Sequence, residues 1–281
     1  MEGIQLSQGA VRYRDEGSGE PLVFVHGLLV NGRLWEGAVD VLREGNRCIV
    51  PTLPLGSHTE PMRPDADLSA AGVAALIAEL LEALDLKKVT LVGNDSGGAL
   101  CQIVATRHPA RVGRMVLTNC DTYEDFPPKL FSYLKVAARI PGALTATAQS
   151  LRLKPLRRSP LAYGVLTKSR IDSELLDEWV GPGLGDAAIR CDTRKFILGM
   201  DPAETMRAAE DLARFAAPTL FAWAPEDRWF KIADAERLAA SMPDARVERI
   251  PDSKTFVPVD QPRRLAELIG SFVAETKPLA G

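Results

Sequence analysis

Short β-rich runs alternate with longer amphipathic helical patterns along most of this chain. The predicted strands cover residues 4–6, 11–15, 21–25, 47–50, 89–92, 115–118, 219–223 and 246–250. Strands that alternate with helices usually pair in parallel and are covered by helices on both faces. The order of elements therefore predicts an α/β fold with a mostly parallel eight-stranded sheet, and the first two strands are expected to form a hairpin.

The strand pattern stops between about residues 121 and 204 and resumes afterwards. Short amphipathic runs with proline and glycine breaks fill this stretch. We interpret residues 1–120 and 205–281 as one α/β core, and residues 121–204 as a helical cap inserted into it.

Composition excludes several classes of protein. The 281 residues include 34 Lys+Arg and 37 Asp+Glu, so no basic surplus marks a nucleic-acid partner. The apolar runs are too short to span a membrane. The N-terminus lacks the basic region and the following apolar run that mark a secretory signal, so we expect a cytoplasmic protein. The four cysteines are expected to be buried free thiols rather than metal ligands. No motif in the sequence predicts a cofactor. Nothing in the sequence indicates the oligomeric state.

Residues 89–98 read Val-Thr-Leu-Val-Gly-Asn-Asp-Ser-Gly-Gly, a strand followed directly by a turn and a helix. A nucleophile elbow needs small residues two positions before and two after the nucleophile, because the strained turn brings backbone segments close together. Gly93 and Gly97 meet this requirement around Asp95. Ser96 would require a small residue at Asn94, so Asp95 is favoured as the nucleophile.

At this point the chain resembles the α/β-hydrolase superfamily over nearly its whole length, including the position of the cap. An aspartate at the elbow resembles the epoxide hydrolase and haloalkane dehalogenase branch. The resemblance implies an α/β-hydrolase fold in which Asp95 attacks a carbon atom to form an ester. It also implies that the backbone N–H groups of Leu28 and Ser96 form the oxyanion hole, and that Asp227 is the acid after the penultimate strand.

The sequence departs from this family at the catalytic base. Where the family has a histidine after the last strand, this chain has Thr255. Threonine cannot activate water at neutral pH, so hydrolysis of the ester lacks its usual base. His58, in the loop after the fourth strand, is the best candidate for a replacement.

The substrate is expected to be an apolar small molecule, because the predicted cap is rich in large apolar side chains. Tyr163 is the first choice for a hydroxyl that polarises an epoxide, although a buried tyrosine bonded to backbone is an equally good interpretation. Haloalkane dehalogenases usually place Trp after the nucleophile, whereas this chain has Ser96, which disfavours dehalogenation.

Four functions therefore remain open. The leading hypothesis is an epoxide hydrolase-like enzyme that uses Asp95. The alternatives are a lyase, isomerase or cyclase in which Asp95 moves a proton, a small-molecule binding protein without catalysis, and an esterase that uses Ser96.

Overall fold

A computed structural model describes residues 1–277 of the chain. The strands in these residues are β1 (Glu2–Leu6), β2 (Gly9–Glu16), β3 (Glu20–Val25), β4 (Asn46–Thr52), β5 (Val89–Asp95), β6 (Val112–Cys120), β7 (Thr219–Trp223) and β8 (Ala245–Arg249). Every expected strand is present. The sequence pattern indicated only residues 115–118 for β6, which instead runs over nine residues, all of them buried.

The eight strands form one sheet in the order β1-β2-β4-β3-β5-β6-β7-β8. β1 pairs antiparallel with β2, and β2 pairs antiparallel with β4. The other neighbouring strands pair in parallel. The prediction of a mostly parallel sheet that opens with a hairpin is confirmed. The carboxyl ends of β5, β6 and β7 meet at one edge of the sheet, where ligands bind in open α/β folds.

Helices cover both faces of this sheet. In the described residues they are α1 (Glu36–Leu42), α2 (Ala70–Ala83), α3 (Ser96–Arg107), α4 (Tyr133–Arg139), α5 (Ala143–Ser150), α6 (Lys154–Arg157), α7 (Ser173–Gly185), α8 (Ala187–Gly199), α9 (Pro202–Leu212), α10 (Ile232–Ser241), α11 (Val257–Asp260) and α12 (Pro262–Glu275). Short 3₁₀ turns lie at Gly32–Trp35, Pro109–Arg111, Lys129–Phe131 and Tyr163–Val165.

Two apolar cores lie on opposite faces of the sheet. Successive side chains of a strand point to opposite faces, so Leu22 and Phe24 of β3 enter one core, while Val23 and Val25 enter the other. The first core includes side chains of α1 and α12, and the second includes side chains of α2, α3, α9 and α10. Burial on both faces explains why the parallel strands are continuously apolar rather than alternating.

The stretch between β6 and β7 contains helices α4 to α9 and no strand, in residues that are all described. Helix α9 crosses the proposed cap boundary at residue 204 and packs against α3 of the core. We keep residues 121–204 as the proposed cap and call them the cap segment.

Residues 1–277 contain no helix that combines the length and the apolar character needed to cross a bilayer. Within the same residues, no group of three or more His, Cys, Asp or Glu side chains is arranged to hold a metal ion. Three of the four cysteines are buried free thiols, but Cys191 of α8 is exposed, so the expectation of burial was wrong for this residue.

Candidate active site

The turn between β5 and α3 holds Asp95 in a strained backbone conformation. Its φ of 55° and ψ of −136° lie outside the regions that residues other than glycine usually adopt. A Cβ atom on Gly93 would lie 2.7 Å from the Cα atom of Gly98, and one on Gly97 would lie 2.3 Å from the carbonyl oxygen of Val25. The turn therefore requires glycines on both sides of Asp95, and it presents the Asp95 carboxyl group at the N-terminus of α3.

Two backbone N–H groups lie beside the Asp95 carboxyl group. They belong to Leu28 and Ser96, and both favour its charged form. The Leu28 N–H also donates to Ser96 Oγ at 2.8 Å. Gly27 leaves room for the carboxyl group, because a Cβ atom there would lie 2.2 Å from Asp95 Oδ2. The two N–H groups expected to form the oxyanion hole are thus next to the expected nucleophile, and their catalytic role stays a prediction.

The protonation of Asp95 changes near neutral pH. Loss of hydration raises the pKa of Asp95 to about 7, and the negative charge of Asp227 contributes to the increase. The N–H groups of Ser96 and Leu28 oppose this effect without cancelling it. Because only a carboxylate is nucleophilic, the expected role of Asp95 as a nucleophile requires a pH above about this value.

Asp227 and Thr255 lie in direct contact, as the family pattern implies for the acid and the base positions. The Thr255 hydroxyl donates to Asp227 Oδ2 at 2.7 Å, and Asn119 Nδ2 donates to the same oxygen at 3.2 Å. The N–H groups of Trp229 and Phe230 donate to Oδ1 at 2.8 and 3.3 Å. Burial raises the pKa of Asp227, and these four donors oppose the increase. All four lone-pair directions of this carboxylate are therefore used within the protein.

The structure does not favour His58 as a replacement base. The N–H of Gly56 donates to its Nδ1 at 3.3 Å, so Nε2 carries the proton and donates to Asp192 Oδ2 at 3.3 Å. Asp192 belongs to α8 and also accepts from the N–H of Met62 at 2.8 Å. His58 thus links the loop after β4 to the cap segment, and it does not line the cavity described below.

His26 is equally unsuited to act as a base. Its Nε2 accepts from the N–H of Leu53 at 2.8 Å, so Nδ1 carries the proton and donates to the carbonyl oxygen of Gly27 at 2.9 Å. Complete burial lowers the pKa of His26 to about 4. The ring is therefore neutral and supports the turn beneath Asp95.

Tyr163 lies in the cavity wall, but its hydroxyl proton is already used. The hydroxyl donates to the carbonyl oxygen of Leu29 at 2.6 Å. Tyr133 is the other tyrosine of the wall, and its hydroxyl donates to the carbonyl oxygen of Leu161 at 2.6 Å. The interpretation of Tyr163 as a buried tyrosine bonded to backbone fits this geometry better than a role in polarising an epoxide.

A cavity of about 520 Å³ lies between the sheet edge and the cap segment. This size suits a small organic ligand. Apolar side chains of the cap segment form most of its wall, among them Pro127, Phe131, Leu134, Leu151 and Leu161. The acidic residues that line it are Asp95 and Asp121, and none of its described lining residues is Lys, Arg or His.

Asp121 was not recognised in the sequence, where it appeared only as the first residue of the cap segment. It directly follows β6, and its neighbour Cys120 pairs with Asp95 across the sheet. Asp121 has no exposed surface, and neither of its carboxyl oxygens has a hydrogen-bond partner. Burial and the charge of Asp95 raise the pKa of Asp121 well above its usual range. An acidic residue directly after a parallel strand was the signal that could have identified it.

The fold and the site together define a class: a hydrolase fold in which a carboxyl group occupies the nucleophile elbow beneath an apolar cavity. The model of the α/β-hydrolase fold family matches residues 20–262, and the chain belongs to that family. It is an α/β-hydrolase-fold enzyme with haloalkane dehalogenase-like relatives.

Two characterised relatives span nearly the whole chain. Haloalkane dehalogenase 2 of Mycobacterium bovis is 28% identical over 94% of this chain and 91% of its own length. The cis-3-alkyl-4-alkyloxetan-2-one decarboxylase of Shewanella oneidensis is 26% identical over 96% of this chain and 87% of its own length.

Among solved structures, a thermophilic esterase from Thermogutta terrifontis superimposes with a TM-score of 0.80 at 21% identity, over 98% of this chain and 99% of the esterase. An ancestral haloalkane dehalogenase gives a TM-score of 0.79 at 20% identity, over the same shares of the two chains. At these identities the superpositions establish the fold alone.

Proposed function

We propose that the protein opens the strained ring of an apolar epoxide with Asp95 as the nucleophile and releases a diol. The observation that carries this proposal is the position of the Asp95 carboxyl group, which the strained turn presents to an apolar cavity. The Leu28 and Ser96 N–H groups beside it favour its charged form. A relative named as a haloalkane dehalogenase supports attack on carbon as the type of chemistry.

The cavity suits an epoxide better than an alkyl halide. The halide ion that leaves an unactivated alkyl halide needs side-chain N–H donors, and no Trp, Asn, Gln, Lys or Arg lies among the described lining residues. The oxygen of an opened epoxide stays attached to the substrate and needs only a proton. A protonated carboxyl group can supply that proton, and a second carboxyl group does line the cavity.

Ser96 is a weaker candidate for the nucleophile. Its hydroxyl oxygen accepts the Leu28 N–H, and no histidine side chain contacts it among the described hydrogen bonds. A serine nucleophile needs a base to remove its proton. Esterase chemistry at Ser96 is therefore less well supported than attack by Asp95.

Isotope-labelled water tests the proposal in a single turnover. Wild type in excess is mixed with styrene oxide in labelled water, and the diol and the Asp95-containing peptide are analysed by mass spectrometry. If Asp95 attacks carbon, the water later attacks the ester carbonyl, so the label appears in Asp95 and the first diol carries none. Label in the diol and none in Asp95 would contradict the proposal, since water would then have attacked the epoxide directly. Asp95→Asn serves as the control that forms no ester.

A second candidate is supported by the decarboxylase of Shewanella oneidensis, whose name describes loss of carbon dioxide from a four-membered lactone. Such a reaction consumes no water, so it would not require the histidine that Thr255 replaces. An alkyl-substituted oxetan-2-one incubated in the same labelled water would give an alkene without label. Turnover of this lactone without turnover of any epoxide would favour the second candidate over the first.

A further inference from the structure

We infer that Asp121 replaces the absent histidine in the proposed reaction, on which this inference rests. The neutral carboxyl group of Asp121 gives a proton to the oxygen released when the ring opens. The carboxylate that remains then accepts a proton from the water that hydrolyses the Asp95 ester.

The sheet places Asp121 next to the nucleophile. Asp95 ends β5 and is paired with Cys120, the last residue of β6, so Asp121 is the first residue beyond that pair. Neighbouring strands lie about 4.8 Å apart. Both residues line the same cavity, so a substrate bound at Asp95 lies next to Asp121.

The backbone of Asp121 is held in place while its carboxyl group has no hydrogen-bond partner from another residue. Gln102 of α3 donates from Nε2 to the backbone oxygen of Asp121 at 2.9 Å. The buried acid Asp227 has four donors, whereas neither oxygen of the fully buried Asp121 has any. A buried carboxyl group without partners is costly to the fold. Its position at the cavity explains why such a group is present.

The surroundings of Asp121 keep a proton on it. The groups that face it are Asp95, Asp125 and Cys120, and none of them is a cation. Burial, followed by the charges of Asp95 and Asp125, raises the pKa of Asp121 well above its usual range, and the backbone N–H of Asp121 itself opposes this increase without cancelling it. The pKa of Asp95 is about 7. When two neighbouring carboxyl groups differ in this way, one ionises and the other keeps its proton. Asp95 is then the nucleophile and Asp121 the acid.

The two halves of the reaction balance. In the first, an Asp95 oxygen bonds to a ring carbon, the carbon–oxygen bond of the epoxide breaks, and the released oxygen takes the proton of Asp121. In the second, Asp121 accepts a proton from water as the water oxygen attacks Cγ of Asp95. The Leu28 and Ser96 N–H groups stabilise the oxyanion, and the Cγ–O ester bond breaks. The departing alkoxide takes the proton of the added hydroxyl group. Asp95 is again a carboxylate and Asp121 is again protonated.

Two probes separate the acid role of Asp121 from its base role. Styrene oxide needs both roles, whereas benzyl bromide alkylates a carboxylate without any acid because bromide leaves unprotonated. With styrene oxide, Asp121→Asn is expected to form diol at least about 100-fold more slowly than wild type. With benzyl bromide, it is expected to accumulate a benzyl ester, which peptide mass mapping should locate at Asp95, while wild type releases benzyl alcohol.

The controls assign each failure to its cause. Asp125→Asn removes a nearby charge outside the cavity lining but leaves burial, the largest cause of the raised pKa of Asp121, in place, so it is expected to follow wild type. Asp95→Asn is expected to form neither ester nor diol. Diol formation by Asp121→Asn at the wild-type rate, or clearance of its ester at that rate, would overturn the inference and leave the proposed function standing. If wild type itself gave neither ester nor diol, the proposed function would fail and the inference with it.

A measurement without substrate keeps the inference testable even if Asp121→Asn folds poorly. The infrared spectrum of wild type at pH 8 is expected to contain the carbonyl stretch of one protonated carboxyl group, which Asp125→Asn retains and Asp121→Asn lacks. Absence of this band from wild type would overturn the assignment of Asp121 as the acid.

Discussion

Replacing Asp95 with asparagine is expected to stabilise the fold at neutral and alkaline pH and to leave its stability unchanged in acid. The pKa of Asp95 is about 7, against 3.8 for an ordinary aspartate. One pKa unit corresponds to about 1.4 kcal/mol, so ionising this carboxyl group lowers the free energy of unfolding by up to about 4 kcal/mol. Because the residue is only partly buried, solvent screening reduces the expected effect to about 2–3 kcal/mol.

The direction of this effect follows from proton binding. A carboxyl group with a raised pKa binds its proton more tightly in the folded protein than in the unfolded chain. Its contribution therefore favours folding most below about pH 4, decreases as the pH rises to about 7, and is constant above that. Asparagine does not ionise, and it accepts a positive φ as aspartate does. The difference in unfolding free energy between Asp95→Asn and wild type should therefore open between about pH 4 and pH 7.

Urea unfolding followed by circular dichroism, repeated at steps from about pH 4 to pH 8, measures this difference. Asp125→Asn shows how much the loss of any one negative charge contributes. The reasoning would be refuted if Asp95→Asn gained the same stability at both ends of the pH range, or if it were less stable than wild type at pH 8.

Three further predictions concern single groups of the site. Turnover of an epoxide, measured as kcat/KM, should fall about tenfold for each pH unit below about 7, because only ionised Asp95 attacks. A value of kcat/KM that does not change over this range would contradict the role of Asp95 as the nucleophile. Thr255→Val should lower the free energy of unfolding in urea by about 1–3 kcal/mol, because Asp227 loses a hydrogen-bond donor. Thr255→Ser keeps the hydroxyl and should lower it less, so equal losses of stability in the two variants would exclude this hydrogen bond as the cause. Tyr163→Phe should retain turnover, because the Tyr163 hydroxyl donates to the Leu29 carbonyl oxygen rather than to the substrate. A loss of turnover of about 100-fold would instead support Tyr163 as a hydrogen-bond donor to the substrate.

The strand pattern and the strained turn at Asp95 could be read from the sequence because both depend on local requirements. Alternating strands and helices determine which segments join the sheet, and the glycines around Asp95 reflect backbone contacts within that turn. The end of β6 was harder to predict. Asn119 and Cys120 are polar or small, yet both are buried. Asn119 is bonded to Ala224 and Asp227 beyond β7, and the Cys120 side chain lies against Gly98 of α3.

The partners of each site residue could not be predicted in the same way. His58 and Tyr163 were candidates because of their residue type and the loops in which they lie. In the structure, however, His58 Nε2 donates to Asp192 and the Tyr163 hydroxyl donates to the Leu29 carbonyl oxygen. The position of a residue in the sequence does not reveal which distant group forms a hydrogen bond with its side chain. The opposite case is Asp121, whose residue type attracted no notice and whose lack of partners is visible only in three dimensions.

The sequence by itself determined the class of fold and the strained turn that carries Asp95, because each depends on residues close together in the chain. The assignment of Thr255 to the position of the usual base stays a prediction. The tertiary structure decided which acidic residues line the same cavity and which carboxyl groups accept hydrogen bonds from protein donors. Asp95 and Asp121 are 26 positions apart in the chain, yet parallel pairing of β5 and β6 places them side by side. Burial then raises both pKa values, with a contribution from the charge of Asp227 at Asp95 and from the charge of Asp95 at Asp121. These values depend on the assembled surroundings rather than on either residue alone.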